Sequence, residues 1–148
     1  MSAPQRKSQP DSGEIVPRAP RLLVVDDELL LVQAIEAVLG DRADVLATAD
    51  PHEALASIDM GERYDVILLD VRMPEMNGIE LFERITAISR SQARRVVFMT
   101  AVSSGPDHDK LVSLPNPTVR KPVDLSLLDE LLTRMLPGGN DSARIKIA

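Results

Sequence analysis

Residues 66–78 read VILLDVRMPEMNG, an apolar run that ends in Asp70 and a polar turn. The unbroken apolar stretch Val66–Leu69 is typical of a strand that is buried on both faces, as in a parallel sheet. Apolar residues then recur at helical spacing over Gly78–Ser89. The segment therefore predicts a buried strand, a loop and a covering helix, with Asp70 at the carboxyl end of the strand.

The same alternation of short apolar runs and amphipathic segments extends outward in both directions along the chain. Helices that connect successive strands by crossovers require a parallel sheet with helices on both faces, so the pattern predicts a doubly wound α/β domain. The predicted strands are Leu22–Val25, Asp44–Ala49, Val66–Leu69, Arg95–Met99 and Pro117–Arg120. The predicted helices cover residues 28–39, the segment that Asp50 caps, and residues 78–89, 107–114 and 125–136.

The composition of the 148-residue chain indicates one domain with its own core, since 44% of the residues are hydrophobic. The formal charge of −6 and the aromatic content of 2% argue against a nucleic-acid partner, which favours basic surfaces and stacking rings. The lack of cysteine excludes thiolate zinc sites and thiol nucleophiles, and it suits a cytoplasmic protein. No apolar run approaches the ~18 residues of a membrane span, so membrane insertion is not expected.

The two ends of the chain differ from this central pattern. Residues 1–20 contain four prolines and no periodic apolar residues, and residues 137–148 begin with the helix-ending sequence Pro-Gly-Gly-Asn. We therefore expect a folded domain over residues 21–136 between two flexible tails.

Polar side chains follow four of the predicted strands at the point where each strand ends. They are Asp26 and Asp27, Asp70, Thr100 and Lys121. The carboxyl ends of parallel strands meet at one edge of a sheet, where ligands of such folds bind. Each residue alone is more often a turn or surface residue, but core packing does not explain why all of them occur at this edge.

This set of side chains predicts a narrow range of chemistry. Three neighbouring carboxylates repel one another, and a divalent cation relieves that repulsion. All-oxygen ligands favour Mg²⁺ or Mn²⁺ over zinc. A metal-bound aspartate beside the ammonium of Lys121 is suited to attack phosphorus, because the two cations neutralise the charge on the phosphoryl oxygens. Thr100 would donate a hydrogen bond to one of those oxygens.

Four segments together resemble the receiver domain of two-component response regulators. They are Leu22-Leu23-Val24-Val25-Asp26-Asp27-Glu28, Leu68-Leu69-Asp70-Val71-Arg72-Met73-Pro74-Glu75-Met76-Asn77-Gly78, Met99-Thr100-Ala101 and Arg120-Lys121-Pro122. The resemblance covers residues 21–136 and includes the spacing between the segments. It implies a flavodoxin-like (βα)5 sheet with the strand order 2-1-3-4-5.

The resemblance also implies a phosphoacceptor and a set of metal ligands. Asp70 would accept a phosphoryl group from a sensor histidine kinase or a histidine phosphotransfer protein. The metal would be bound by Asp27 directly, by Asp26 mostly through water, by Asp70 and by the backbone carbonyl of Arg72.

Further positions receive roles from the same resemblance. Lys121 would pair with the phosphoryl group, Pro122 would follow a cis peptide bond, and Thr100 would move toward the phosphoryl oxygens. The family usually has an aromatic residue where this chain has Thr118, so the coupling of the switch to its output surface is expected to differ. Val102 has no group that could orient a water molecule, which predicts a phosphoryl bond that is not unusually short-lived.

The resulting hypothesis is a single-domain response regulator that signals by phosphorylation-dependent binding of a downstream protein target, as a monomer or weak dimer. It would catalyse its own phosphorylation and autodephosphorylation without being a turnover enzyme. A phosphorelay intermediate or phosphate sink needs the same cleft and is one alternative, and a phosphorylation-independent pseudo-receiver is another. A haloacid-dehalogenase-type phosphatase is disfavoured, because Arg72 stands where that family has a second aspartate.

Overall fold

The computed structural model of the protein describes residues 19–137. Residues 1–18 and 138–148 lie outside the described residues, so the flexible tails expected over 1–20 and 137–148 stay predictions. The strands are β1 (Arg21–Val25), β2 (Asp44–Thr48), β3 (Val66–Asp70), β4 (Val96–Thr100) and β5 (Thr118–Arg120). The helices are α1 (Leu29–Leu39), α2 (Pro51–Asp59), α3 (Gly78–Ile88), α4 (Arg90–Ala93), α5 (Pro106–Ser113) and α6 (Leu125–Met135).

The five strands form one parallel sheet in the order β2-β1-β3-β4-β5. The predicted doubly wound, flavodoxin-like fold and its strand order are therefore confirmed. Two short elements were not predicted: the helix α4 and a 3-10 turn over Gly40–Arg42. Both lie where a longer helix ends, so they do not change the topology.

The sheet separates two apolar cores because successive side chains of a strand point to opposite faces. On one face, Leu22 and Val24 of β1 pack with residues of α1 and α6. On the other face, Leu23 and Val25 pack with residues of α2, α3 and α5. Strands β3 and β4 are buried along their whole length, as their unbroken apolar runs predict.

Side-chain capping hydrogen bonds mark where the helices α2 and α6 begin. Asp50 accepts a hydrogen bond from the His52 N–H at 2.9 Å, and Asp124 accepts one from the Ser126 N–H at 3.0 Å. Within residues 19–137, no helix is long and apolar enough to cross a membrane.

Candidate functional site

The register of the sheet brings the predicted polar side chains to one edge. Val25 pairs with Leu69, Asp70 pairs with Met99, and Thr100 pairs with Arg120, so β1, β3, β4 and β5 end side by side. The loops that begin there carry Asp26, Asp27 and Lys121, while Asp70 and Thr100 are the last residues of their strands.

Three carboxylates form the acidic part of this edge. One oxygen each from Asp26, Asp27 and Asp70 lies within 4.8 Å of the other two. Asp26 and Asp70 are buried, whereas Asp27 is exposed at the mouth. Oxygen ligands at this spacing, two of them withdrawn from water, fit a hard divalent cation such as Mg²⁺ or Mn²⁺.

Lys121 supplies the positive charge of the site. Its Nζ lies 3.0 Å from Asp26 Oδ2, 3.2 Å from Glu28 Oε1 and 3.4 Å from Asp70 Oδ2. Burial by itself lowers the pKa of Lys121, but the hydrogen bonds and charges of these carboxylates raise it above its ordinary value, so the side chain is an ammonium ion. The following peptide bond, to Pro122, is cis, as the resemblance to receiver domains implies.

The electrostatics of Asp70 differ from those of an ordinary surface carboxylate. Burial raises its pKa, and the negative charge of Asp26 raises it further. Lys121 and the Arg72 N–H, which donates to Asp70 Oδ1 at 3.3 Å, oppose this shift without cancelling it. A cation bound at this place would therefore stabilise the ionised form of Asp70.

Thr100 is buried beside these groups, and its hydroxyl is tied to the loop that follows β4. The Val102 N–H donates to Thr100 Oγ1 at 2.9 Å. A movement of the Thr100 side chain would therefore break or move a hydrogen bond to the start of that loop.

The comparisons with known proteins agree with this geometry. The family model of the response regulator receiver domain matches residues 22–133. The chain belongs to this family. Among solved structures, the receiver domain resembles the chemotaxis protein CheY4 of Vibrio cholerae, at 30% identity and a TM-score of 0.65, over 80% of this chain and 100% of that one.

Another solved relative contains a bound metal ion. The receiver domain of the sensor histidine kinase PA1611 from Pseudomonas aeruginosa is 29% identical, with a TM-score of 0.68, over 80% of this chain and 98% of that one. That structure has a magnesium ion coordinated in its active-site cleft.

Two of the curated relatives are a transcriptional regulator and a histidine kinase, and this chain covers only part of each. The transcriptional regulatory protein DltR of Streptococcus agalactiae is 33% identical over 119 residues, which are 78% of this chain and 50% of that protein. The signal transduction histidine-protein kinase BarA of Escherichia coli K12 is 28% identical over 125 residues, 84% of this chain and 14% of that protein. The receiver domain therefore spans between about one seventh and one half of these relatives.

The residue expected to differ from the family pattern lies away from the acidic edge. Thr118 is exposed at the start of the edge strand β5 and pairs in register with Phe98. Phe98 is fully buried and packs edge-on against Phe82, with ring centroids 5.3 Å apart. Thr118 is thus an exposed residue of the edge strand, whereas its register partner Phe98 belongs to the core.

The structure adds two residues to which sequence reasoning assigned no role. Glu28 contacts Lys121, and Asp107 lies 3.9 Å from the Nε of the exposed Arg72 side chain. Glu28 directly follows the aspartate pair, which is a local signal, but its partner is 93 residues away. Asp107 carries no local signal beyond its place in the first turn of α5.

Proposed function

We propose that this receiver domain accepts a phosphoryl group on Asp70 in a Mg²⁺-dependent reaction and thereby changes its binding to a partner protein. The observation that carries the proposal is the placement of Asp70. Its carboxylate is buried between the carboxylate of Asp26 and the ammonium of Lys121. A buried, ionisable carboxylate with a fixed cation beside it is typical of a reactive site and not of a residue that only packs in the core.

The reaction that fits this arrangement is transfer from a phosphorylated histidine. One oxygen of Asp70 forms a new P–O bond while the P–N bond to the donor imidazole breaks, and the leaving nitrogen keeps the electron pair. The ammonium of Lys121 neutralises charge on the phosphoryl oxygens as it develops. A small donor such as acetyl phosphate would be attacked in the same way, with acetate as the leaving group.

The metal in this proposal is held by Asp26, Asp27, Asp70 and the main-chain carbonyl of Arg72. When bound, Mg²⁺ supplies positive charge that stabilises both the ionised Asp70 and the phosphoryl oxygens. The chain contributes the orientation, because Asp26 and Asp70 are buried and their oxygens already face each other.

The switch and the partners complete the proposal. Thr100 would exchange its hydrogen bond with the Val102 N–H for one to a phosphoryl oxygen, and the loop after β4 would follow. A sensor histidine kinase or a histidine phosphotransfer protein would be the donor, and a protein target would bind the altered surface. We further propose that the protein is cytoplasmic and is a monomer or weak dimer. It is modified on Asp70 and does not turn over a substrate.

The test is the intact mass of the protein after incubation with Mg²⁺ and acetyl phosphate. We expect one added phosphoryl group in the wild-type protein and in Asp59→Asn, a control at the exposed end of α2. We expect none in Asp70→Asn or in the presence of a chelator. A wild-type protein that gains no phosphoryl group, and that binds no beryllofluoride with Mg²⁺, would refute the proposal in favour of a pseudo-receiver.

A further test separates a terminal switch from a phosphorelay intermediate. The phosphorylated protein is mixed with a histidine phosphotransfer domain, and the label on both proteins is followed. Return of the group to the histidine at a rate above hydrolysis would assign the relay function. Hydrolysis alone supports the terminal switch.

A further inference from the structure

Lys121 has three carboxylate partners, and they are not equivalent. An ammonium group has three N–H donors, and Asp26, Glu28 and Asp70 each lie within 3.4 Å of Nζ. A phosphoryl group on Asp70 would bring further oxygen atoms that need a donor. Nζ donates hydrogen bonds to Asp26 and Glu28, so the phosphoryl oxygens would compete with these two carboxylates for the N–H donors.

Glu28 is the partner that is free to leave. Its side chain is 60% exposed, whereas those of Asp26 and Asp70 are 0% and 6% exposed. Releasing Glu28 into water costs little, because water replaces the lost hydrogen bond, but releasing a buried carboxylate leaves its charge unpaired. Glu28 and Lys121 also line an open cavity of about 300 Å³ between α1 and the loop after β5, which gives the carboxylate room to move.

The main chain of Glu28 stays in place while its side chain moves. The Glu28 N–H donates to Asp26 Oδ1 at 2.8 Å, and the Glu28 carbonyl accepts from the Val32 N–H in the first turn of α1. Only the side-chain torsions therefore need to change for the contact with Lys121 to open.

We propose that Glu28 is a positioning residue that holds one N–H donor of Lys121 in the resting protein and competes with the phosphoryl group for it. This inference rests on the proposed function of Asp70. It assigns to Glu28 a restraint on phosphorylation: the group must displace Glu28 before Lys121 can bind the phosphoryl oxygens fully.

The test compares three variants with the wild-type protein. Glu28→Gln removes the charge and weakens the contact. Glu28→Asp keeps the charge but shortens the side chain by one methylene, so that it no longer reaches Lys121. Glu75→Gln is the matched control, because Glu75 is 64% exposed in the loop before α3 and contacts His52 instead of Lys121.

Two readouts are measured for each variant. The first is the affinity for beryllofluoride in the presence of Mg²⁺, by calorimetry, with Mg²⁺ alone titrated separately. The second is the rate of phosphorylation by acetyl phosphate as a function of its concentration. Surface ion pairs contribute modestly, so we expect both Glu28 variants to bind beryllofluoride about two- to fivefold more tightly and to raise the limiting rate by a similar factor. Glu75→Gln should match the wild type in both.

The pattern across the variants decides the outcome. The inference would be overturned if Glu28→Gln and Glu75→Gln changed the beryllofluoride affinity and the phosphorylation rate equally while Glu28→Asp matched the wild type. Such a pattern would show that only the negative charge near the site matters, and not the contact with Lys121. A Glu28→Gln protein indistinguishable from the wild type would overturn it as well, while leaving the proposed function intact. A wild-type protein that gains no phosphoryl group at all would remove both.

Discussion

The main chain of Gly78 lies directly against the main-chain carbonyl of Asp70. A Cβ at position 78 would be 3.0 Å from the Asp70 carbonyl carbon and closer still to its oxygen, which is backbone and cannot move aside. The Gly78 N–H also donates to the Val71 carbonyl at 2.9 Å. Gly78, the first residue of α3, therefore packs against the main chain of Asp70, the candidate phosphoacceptor, with no room for a side chain between them.

Replacing Gly78 by alanine should destabilise the fold and disturb Asp70 together. We expect Gly78→Ala to lower the free energy of unfolding by about 1–3 kcal/mol, because the added methyl group forces backbone apart. Urea denaturation measures this loss, and the acetyl phosphate assay should show slower phosphorylation. Gly61→Ala is the control: its Cβ meets open space at a φ of 105°, so it should cost stability through backbone strain alone and leave phosphorylation unchanged.

Asp70→Asn should stabilise the metal-free protein at neutral pH. Burial and the charge of Asp26 raise the pKa of Asp70 in the folded state, so its ionised form costs folding free energy above that pKa. The gain from the substitution should shrink as the pH falls through the raised pKa, because the folded wild-type protein then takes up the proton.

Thermal unfolding at pH 7 and pH 4 in a chelator measures this difference, and Asp59→Asn serves as the exposed control. A gain in the melting temperature of Asp70→Asn that is as large at pH 4 as at pH 7 would contradict the assignment. So would a loss of stability at pH 7.

Asp107 should couple the loop after β3 to α5. Its Oδ2 accepts a hydrogen bond from Asn77 Nδ2 at 3.1 Å and lies 3.9 Å from Arg72 Nε. We expect Asp107→Ala to lower the free energy of unfolding by about 0.5–1 kcal/mol and to speed amide exchange in α5. The control is Asp109→Ala, because Asp109 lies in the same turn but contacts neither Asn77 nor Arg72, and it should leave amide exchange in α5 unchanged. Equal effects of both substitutions would mean that the negative charge of the turn matters and not the contacts of Asp107 with Asn77 and Arg72.

Val102 should set the lifetime of the phosphorylated protein. Its side chain is apolar and half-buried two residues after Thr100, so it offers no group that could orient a water molecule. We expect Val102→Glu to shorten the lifetime of the phosphoryl group by roughly tenfold, since a carboxylate can act as a base toward water. Loss of radiolabel from the purified phosphoprotein measures it, with Val102→Leu as the control; equal rates for Val102→Glu and wild type would end the idea.

Local patterns along the chain were sufficient for the parts of the fold that depend on near neighbours in sequence. The apolar runs before Asp26 and Asp70 are long enough to be read as buried strands, and both strands occupy the interior of the sheet. The helix cap at Asp124 could also be predicted from the sequence, because a capping side chain accepts hydrogen bonds from residues two or three positions ahead.

The ends of the strands were predicted less well than their middles, because an apolar run marks the centre of a strand and not its last residue. The interior strand β4 covers Val96–Thr100 instead of Arg95–Met99. Strand β2 consists of exposed and half-buried residues only, and it is one residue shorter than predicted. Strand β5 begins at Thr118 and not at Pro117, because proline has no N–H to donate to the neighbouring strand. The Pro117 carbonyl nevertheless accepts a hydrogen bond from the Phe98 N–H.

The sequence by itself determined the doubly wound fold and which polar residues meet at one edge of the sheet, because periodicity and the polar residues at strand ends are local features. Only the tertiary structure decided what those residues touch. The contact of Lys121 with Glu28 and the bridge of Asp107 to Asn77 join residues that are 93 and 30 positions apart. The fit of Gly78 against Asp70 spans a short loop, but it depends on how α3 packs onto the sheet. Such contacts depend on the packing of helices onto the sheet, and no spacing along the sequence encodes it.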